Sequence, residues 1–233
     1  MRTTSCILSA VFLALSCGFA PCASAAVAVI PCDRDNTLFE DADGDTSSGA
    51  GTSFYSGTNS QPRARRALVR FALTLHVASA PDTVARSFAL HRMTRDWGEG
   101  TSAAGGGSGA PATAGDATWL FAFFPGTPWA IPGGDFEATP SATRAVGEAG
   151  AWSWSGEGLV ADVASWLADP SSNHGWILLC GDEAIPRSVR RFDAREAADP
   201  ALRPYLRLVL EETVSVLPSS WGRIKSNYRG GVR

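Results

Sequence analysis

The sequence is poor in the residues that nucleic-acid binding needs. Lys225 is its only lysine, and 20 basic residues stand against 23 acidic ones, which gives a formal net charge of −3. Proteins that bind nucleic acid neutralise phosphates with clustered lysine and arginine. Charged residues make up only 18% of the chain and hydrophobic residues 45%, so the composition is not that of a disordered protein either. We therefore expect a folded protein and no nucleic-acid partner.

Long apolar segments are also scarce. The mostly apolar stretch Ile7–Phe19 is 13 residues long, whereas a membrane-spanning helix needs about 20. Arg2 precedes this stretch and the small residues Ala23-Ser24-Ala25 follow it, which is typical of a secretory signal peptide. We predict a signal peptide over residues 1–25, a secreted or cell-surface protein, and no membrane-spanning segment.

The chain has five cysteines, and three of them lie in the predicted signal peptide. Cys32 and Cys180 remain, in a compartment where disulfides persist. A bridge between them would stabilise the fold by roughly 4 to 5 kcal/mol according to the chain-entropy model. Two separate buried thiols are the alternative, because free cysteine is often buried. Both interpretations remain open at this point.

Glycine and proline, 24 and 14 residues, interrupt the chain too often for long helices to dominate. Ala67–Val77 alternates with period two and predicts one eleven-residue strand, with Val69, Phe71 and Leu73 among the residues on one face. An apolar stripe predicts one helix over Leu159–Ala168. Shorter strands are predicted at Val27–Pro31, Thr37–Glu40, Ser53–Ser56, Ser87–Met93, Thr118–Phe124, Gly175–Cys180, Ser188–Asp193 and Tyr205–Glu211.

These elements predict an all-β protein, an antiparallel β-sandwich of the jelly-roll type with one short inserted helix. We assign residues 26–217, which carry a net charge of −8, to a single domain. Residues 100–115 contain no large apolar or charged side chain and predict a long surface loop. Residues 218–233 carry a charge of +4 and no acid, so we expect a flexible tail or a sorting or docking segment.

A run of acidic residues follows the second predicted strand. Asp41, Asp43 and Asp45 alternate around Gly44, a pattern that can gather the hard oxygen ligands of calcium. An EF-hand loop counted from Asp41 would need glutamate where the chain has Thr52. A structural calcium ion and a plain turn are therefore the two interpretations, and no cofactor is required.

Aromatic residues in loops are the main candidates for ligand contacts in the sequence. Trp97, Trp119 and Trp129 border glycine-rich or proline-rich segments, close to Glu99 and Asp135. An aromatic face beside a carboxylate can stack on a sugar ring and bind its hydroxyl groups, so these five residues are the candidate ligand-binding set. The alternative is that the rings fasten long loops to the sandwich. No catalytic residue is predicted, because Gly-x-Ser-x-Gly and His-x-x-x-His are both missing from the sequence.

A series of short segments occurs in a characteristic order along nearly the whole predicted domain. They are Asp35–Glu40, Ser48–Gly51, Arg66–Phe71, Trp97–Gly100, Asp116–Trp119, Asp162 with Trp166, Asn173–Trp176, and Arg191–Asp193 followed by Pro204. This order resembles the DNRLRE-type domains of secreted bacterial proteins, which are similar to carbohydrate-binding-module jelly rolls. The resemblance implies a non-catalytic β-sandwich associated with extracellular polysaccharide.

The expected function is that of a secreted, non-catalytic binding module whose partner is an extracellular polysaccharide or another cell-envelope polymer. The first alternative is a structural or adhesive component of the cell envelope without glycan specificity. A polysaccharide lyase or hydrolase is a further alternative, for which the sequence offers no convergent motif.

Overall fold

The computed structural model describes residues 25–70, 74–79 and 84–211. The chain divides into two units, one formed by residues 27–208 and the other by residues 1–26 together with 209–233. The predicted tail lies outside the described residues, and so does the predicted signal peptide except for Ala25.

Short strands make up most of the regular structure. The first eight are β1 Ala25–Pro31, β2 Arg34–Phe39, β3 Thr46–Ser47, β4 Ser53–Thr58, β5 Ala64–Arg70, β6 Thr74–Ser79, β7 Arg86–Arg92 and β8 Ala110–Pro111. The remaining elements are β9 Phe121–Phe123, β10 Thr127–Pro128, β11 Ala142–Val146, β12 Gly150–Ser153, helix α1 Glu157–Ala168, β13 Trp176–Cys180, β14 Arg190–Asp193 and β15 Tyr205–Glu211.

The main sheet curls so that two groups of antiparallel strands face each other. The first layer has the order β2, β5, β13, β7, β11. In the second layer β14 pairs with β4 and β6, and β6 also pairs with β12 and β15. Two small ladders, β9 with β10 and β3 with β8, lie outside this sheet. The prediction of an all-β sandwich with one short helix is confirmed.

Strand β4 belongs to both layers. Ser53–Ser56 pairs with β14 in the second layer, whereas Gly57 and Thr58 pair with β5 in the first. Gly57 has a φ of 106°, and a Cβ at this position would overlap the backbone of Ser188 and Val189. Glycine is therefore needed at the point where the strand bends from one layer into the other.

The strand predicted over Ala67–Val77 is strand at both of its ends, and its middle lies outside the described residues. Strand β5 ends at Arg70 in the first layer, and β6 begins at Thr74 in the second layer, with Phe71 and Leu73 outside the described residues. Period two continues through residues 67–70 and 74–77, so periodicity alone does not show that these two parts lie in different layers. Of the predicted strand Thr118–Phe124, only Phe121–Phe123 is strand, and β11 and β12 were not predicted.

The first layer is buried on both faces. Val69, Trp176 and Leu178 face the core between the layers, where they join Phe54 and Phe192 of the second layer. The neighbouring residues Leu68 and Ile177 point the other way, into a second apolar core with Leu38, Met93, Trp97 and Trp129. Strands covered on both faces read as continuous apolar runs, and β13 has the sequence WILLC.

Helix α1 packs against the main core through Leu159 and Trp166, and the Trp166 ring lies 4.5 Å from that of Trp176. The predicted apolar stripe is only partly buried, because Val160 and Leu167 are 68% and 73% exposed. The buried Asp162 accepts a hydrogen bond from Trp176 Nε1 at 2.7 Å. This bond joins the helix to strand β13.

Candidate functional site

The long connection between β7 and β11 forms the second core and determines which loop residues reach the surface. It covers the outer face of the first layer and buries Trp97, Ala117, Ala122 and Trp129 against the strands. The glycine-rich stretch belongs to this connection and is fastened in place, since Ala110–Pro111 pairs with β3. The sequence predicts this loop, but not the second core beneath it.

Trp97 is fully buried and is not available to a sugar. Its Nε1 donates a hydrogen bond to the carbonyl oxygen of His174 at 2.8 Å. The guanidinium of Arg34 lies 4.8 Å from the centre of the ring. The ring therefore anchors the loop, as in the alternative interpretation, and the assignment of Trp97 to a ligand-binding surface is corrected.

Trp129 has the same role at the other end of the connection. Only 5% of the residue is exposed, and Nε1 donates to the carbonyl oxygen of Thr118 at 2.8 Å. Asp135 organises the turn that follows, where its carboxylate accepts the backbone N–H groups of Ala130 and Ile131. Both residues thus shape the loop, which is a correction to their predicted contact with ligand.

Glu99 joins the long connection to a partly buried cluster of charged groups, Asp35, Arg195 and Glu196. Its Oε1 accepts the N–H of Asp35 at 3.0 Å, and its two oxygens accept Nε and an Nη of Arg195 at 2.6 and 2.7 Å. The hydrogen bonds and charge of Glu99 raise the pKa of Arg195. Because its carboxylate is held twice by one guanidinium, Glu99 is a structural residue and not the ligand contact predicted.

Asp35 is the acid of this cluster whose pKa is shifted most. Burial raises the pKa of Asp35 well above its usual value; Glu196 and Glu99 raise it further, while the hydrogen bond from the Arg195 N–H lowers it. Asp35 Oδ1 and Glu196 Oε2 are buried and have no hydrogen-bond partner among the residues that the structure describes. Burial also raises the pKa of Glu196. Burial therefore favours the protonated forms of Asp35 and Glu196.

Asn36 is the polar centre of the second core, and sequence reasoning missed it. Its side chain is fully buried; Nδ2 donates towards the carbonyl oxygens of Gly98, Glu99 and Ala117 at 3.4, 2.9 and 3.3 Å. Its Oδ1 accepts the Thr37 and Ser48 N–H groups and the Ser47 hydroxyl. The available signal was the polar run Asp35-Asn36-Thr37 inside a strand.

Trp119 is the one of the three predicted tryptophans whose ring is only partly buried. The guanidinium of Arg66 lies 4.9 Å from its centre and 5.8 Å from that of Phe136. Arg66 is held by two 3.0 Å hydrogen bonds to Glu183 and one to the carbonyl oxygen of Gly133. We call Arg66, Trp119, Phe136, Glu183 and His91 the Trp119 surface.

His91 completes this surface. Its ring lies 5.3 Å from that of Phe136, edge to face, and its Nδ1 donates to the carbonyl oxygen of Glu137 at 2.8 Å. Gly133, with a φ of 92°, lies directly against Arg66 and Trp119, and a Cβ there would overlap the guanidinium. The Trp119 surface thus places two aromatic rings beside an ion pair at a partly exposed position.

The acidic run forms a turn in the structure. Asp41 Oδ1 accepts the N–H groups of Gly44 and Asp45, and Gly44 has a φ of 62°. Asp43 and Asp45 are exposed. Within the described ranges, no three His, Cys, Asp or Glu side chains are grouped as metal ligands. The geometry is that of a turn closed by an aspartate, as in the second interpretation, and calcium binding by Asp41, Asp43 and Asp45 stays a prediction.

Cys32 and Cys180 are both buried and unbridged in the structure. Burial raises the pKa of both thiols, and Asp35 raises that of Cys32 further. Cys32 Sγ donates to the carbonyl oxygen of Arg34 at 3.1 Å. Of the two interpretations left open by the sequence, the structure therefore corresponds to two separate thiols and not to a disulfide.

In comparisons with known proteins, the chain matches no family model and no curated sequence. The resemblance to DNRLRE-type domains stays a prediction.

Proposed function

We propose that this protein is a secreted, non-catalytic binding module for an extracellular polysaccharide or a similar cell-surface polymer. The observation that carries the proposal is the Trp119 surface, where partly exposed aromatic rings lie beside the Arg66–Glu183 ion pair. Aromatic faces pack against the C–H groups of a sugar, and fixed charged groups orient its hydroxyls. Trp119 and Arg66 are 53 positions apart in the chain, and the packed connection brings them together.

We propose that the protein is not a catalyst, because the raised pKa of Asp35 has a structural explanation. Asp35 is fully buried, and its carboxylate, like that of Glu99, is hydrogen-bonded to Arg195 in the contact that fastens the long connection. A general acid or base must reach the proton that it transfers. The pKa shift of Asp35 therefore follows from its burial and gives no reason to assign a reaction.

Export is part of the proposal. It is supported by the arrangement of Arg2, the apolar stretch Ile7–Phe19 and Ala23-Ser24-Ala25. Among the described residues, no helix has the length and apolar character needed to cross a membrane.

The test is a glycan and cell-wall binding screen with the wild type, Trp119→Ala and the matched control Trp152→Ala. Trp152 is also partly buried and also has an arginine over its ring, since Arg144 lies 5.3 Å from the ring centre. We expect Trp119→Ala to weaken binding by about 1 kcal/mol or more, roughly fivefold, because an aromatic contact is lost. Trp152→Ala should bind as the wild type does. Equal losses in both variants, or no binding by the wild type, would refute the proposal.

A structural or adhesive role is favoured by one separate observation. Val160 and Leu167 are seven residues apart on one face of α1, and both are largely exposed. Such a face suits a protein partner. If replacing both residues by serine released the protein from cells while the purified wild type bound no glycan, the adhesive role would replace the proposed one.

A further inference from the structure

The bend of β4 lies beside a cavity of about 340 Å³ that is lined by Asn59, Ser60, Arg187 and Val189. The walls are the turn after β4 and the segment before β14, which are joined by a hydrogen bond from the Arg187 N–H to the carbonyl oxygen of Asn59 at 2.9 Å. Ligand pockets in proteins range from about 300 to 1,000 Å³, so this cavity suits one small ligand unit.

Arg187 has an unusual backbone at this cavity. Its φ is 65°, and it is the one non-glycine residue with positive φ in the part of the chain that the structure describes. A non-glycine residue in this region is strained, and such strain is concentrated at functional sites. Here the left-handed conformation accompanies a side chain that lines the cavity.

The polar side chains of the cavity are donors without partners. Asn59 Oδ1 accepts the Gln61 N–H at 2.8 Å, so the amide NH₂ group is the part left to bind a ligand. Between residues 25–70, 74–79 and 84–211, the structure describes no partner for that NH₂ group, for the Ser60 hydroxyl or for the Arg187 guanidinium. An amide, a hydroxyl and a guanidinium together match the oxygen atoms of an anion.

The charged residue that lines the cavity is an arginine, Arg187. The nearest acids in the chain, Asp182 and Glu183, are paired with Arg86 at 3.7 Å and Arg66 at 3.0 Å. Residues 26–217 have a net charge of −8, so a cavity with an arginine and no acid among its lining residues contrasts with the domain as a whole. An arginine in a cavity attracts anionic ligands.

We propose that this cavity binds the anionic group, a carboxylate or a sulfate ester, of an acidic polysaccharide. The proposal rests on the proposed function for the polymer and adds the charge class of the ligand. Arg187 binds two oxygens of the anion with its fork of N–H groups, and Asn59 and Ser60 donate to the remaining oxygens.

The experiment measures binding of the full chain to polygalacturonate, dextran sulfate and neutral dextran. The variants are Arg187→Gln, its matched control Arg207→Gln, and Arg187→Gly. Arg207 is another exposed arginine and loses the same charge, whereas Arg187→Gly also relaxes the backbone. Urea unfolding of each variant checks that the fold is kept.

We expect binding of at least one acidic polymer to fall about tenfold in both Arg187 variants and less than twofold in Arg207→Gln, because charge-assisted hydrogen bonds are lost only at the cavity. The preferred polymer distinguishes a carboxylate from a sulfate. Equal losses in Arg187→Gln and Arg207→Gln would show non-specific charge attraction and overturn the proposal. Binding of neutral glycans through Trp119, without preference for acidic polymers, would also overturn it while leaving the proposed function intact.

Discussion

The replacement Asn36→Asp tests the second core most directly, because it exchanges one NH₂ group for an oxygen of nearly the same size. In the wild type that NH₂ group faces three carbonyl oxygens at 2.9 to 3.4 Å, and the residue is fully buried. An oxygen at this place would repel all three carbonyl groups. Among the described residues it would leave the Glu99 carbonyl without a donor, whereas that of Gly98 keeps the Ala117 N–H and that of Ala117 keeps the Ser47 hydroxyl.

The expected loss follows from these contacts. Two donated hydrogen bonds contribute about 1 kcal/mol each, and a buried carbonyl oxygen left unsatisfied costs about 1 to 3 kcal/mol. We therefore expect Asn36→Asp to lower the free energy of unfolding by about 3 to 5 kcal/mol at pH 7. Burial raises the pKa of the introduced carboxyl group, and its protonated form can donate one hydrogen bond, so the loss should shrink as the pH falls.

Urea unfolding followed by tryptophan fluorescence at pH 4 and pH 8 measures this difference. Asn173→Asp is the matched control, because Asn173 is only partly buried and its Oδ1 accepts the Gly175 N–H at 3.2 Å, a bond that a carboxylate keeps. The control should change stability by about 0.5 kcal/mol or less. A loss below 1 kcal/mol in Asn36→Asp at pH 8 would show that Asn36 does not hold the long connection in place.

Three further predictions concern buried groups. Because the folded state raises the pKa of Asp35, the free energy of unfolding should fall as the pH rises from the usual aspartate pKa through the raised one. Asp35→Asn should flatten this fall in urea unfolding measured across that pH range. An unchanged slope would contradict a raised pKa for Asp35. Trp129→Ala should cost about 3 to 5 kcal/mol of unfolding free energy and Trp119→Ala about 1 to 2, and equal losses would contradict their different burial. Cys32 and Cys180 should react with a thiol reagent only after unfolding. A mass of the unreduced protein that is two hydrogens below the value for free thiols would show a disulfide and contradict this.

Part of the fold follows from the sequence because its local signals are strong. Strand β15 has the predicted bounds Tyr205–Glu211, and α1 ends at Ala168 as its Asp169-Pro170 signal indicates. Strands β11 and β12 are short and carry no clear alternation, so their pairing with β7 and β6 depends on the assembled sandwich.

The site could be predicted only as a set of residue types. The sequence shows rings beside glycine, but the burial of Trp97 and Trp129 depends on how Asn36 fastens the connection. The contact between Arg66 and Trp119 joins residues far apart in the chain, and so does the pairing of Glu99 with Arg195. Such contacts follow from tertiary packing, which residue spacing does not encode.

The sharing of β4 between the layers has a consequence for how the protein opens. Its hydrogen bonds to β14 and to β5 lie within six consecutive residues, so neither layer can separate without breaking a ladder of the other. We expect the backbone amides of Ser53–Thr58 that donate within these ladders to exchange with deuterium only through global unfolding. The two layers should then behave as a single cooperative unit.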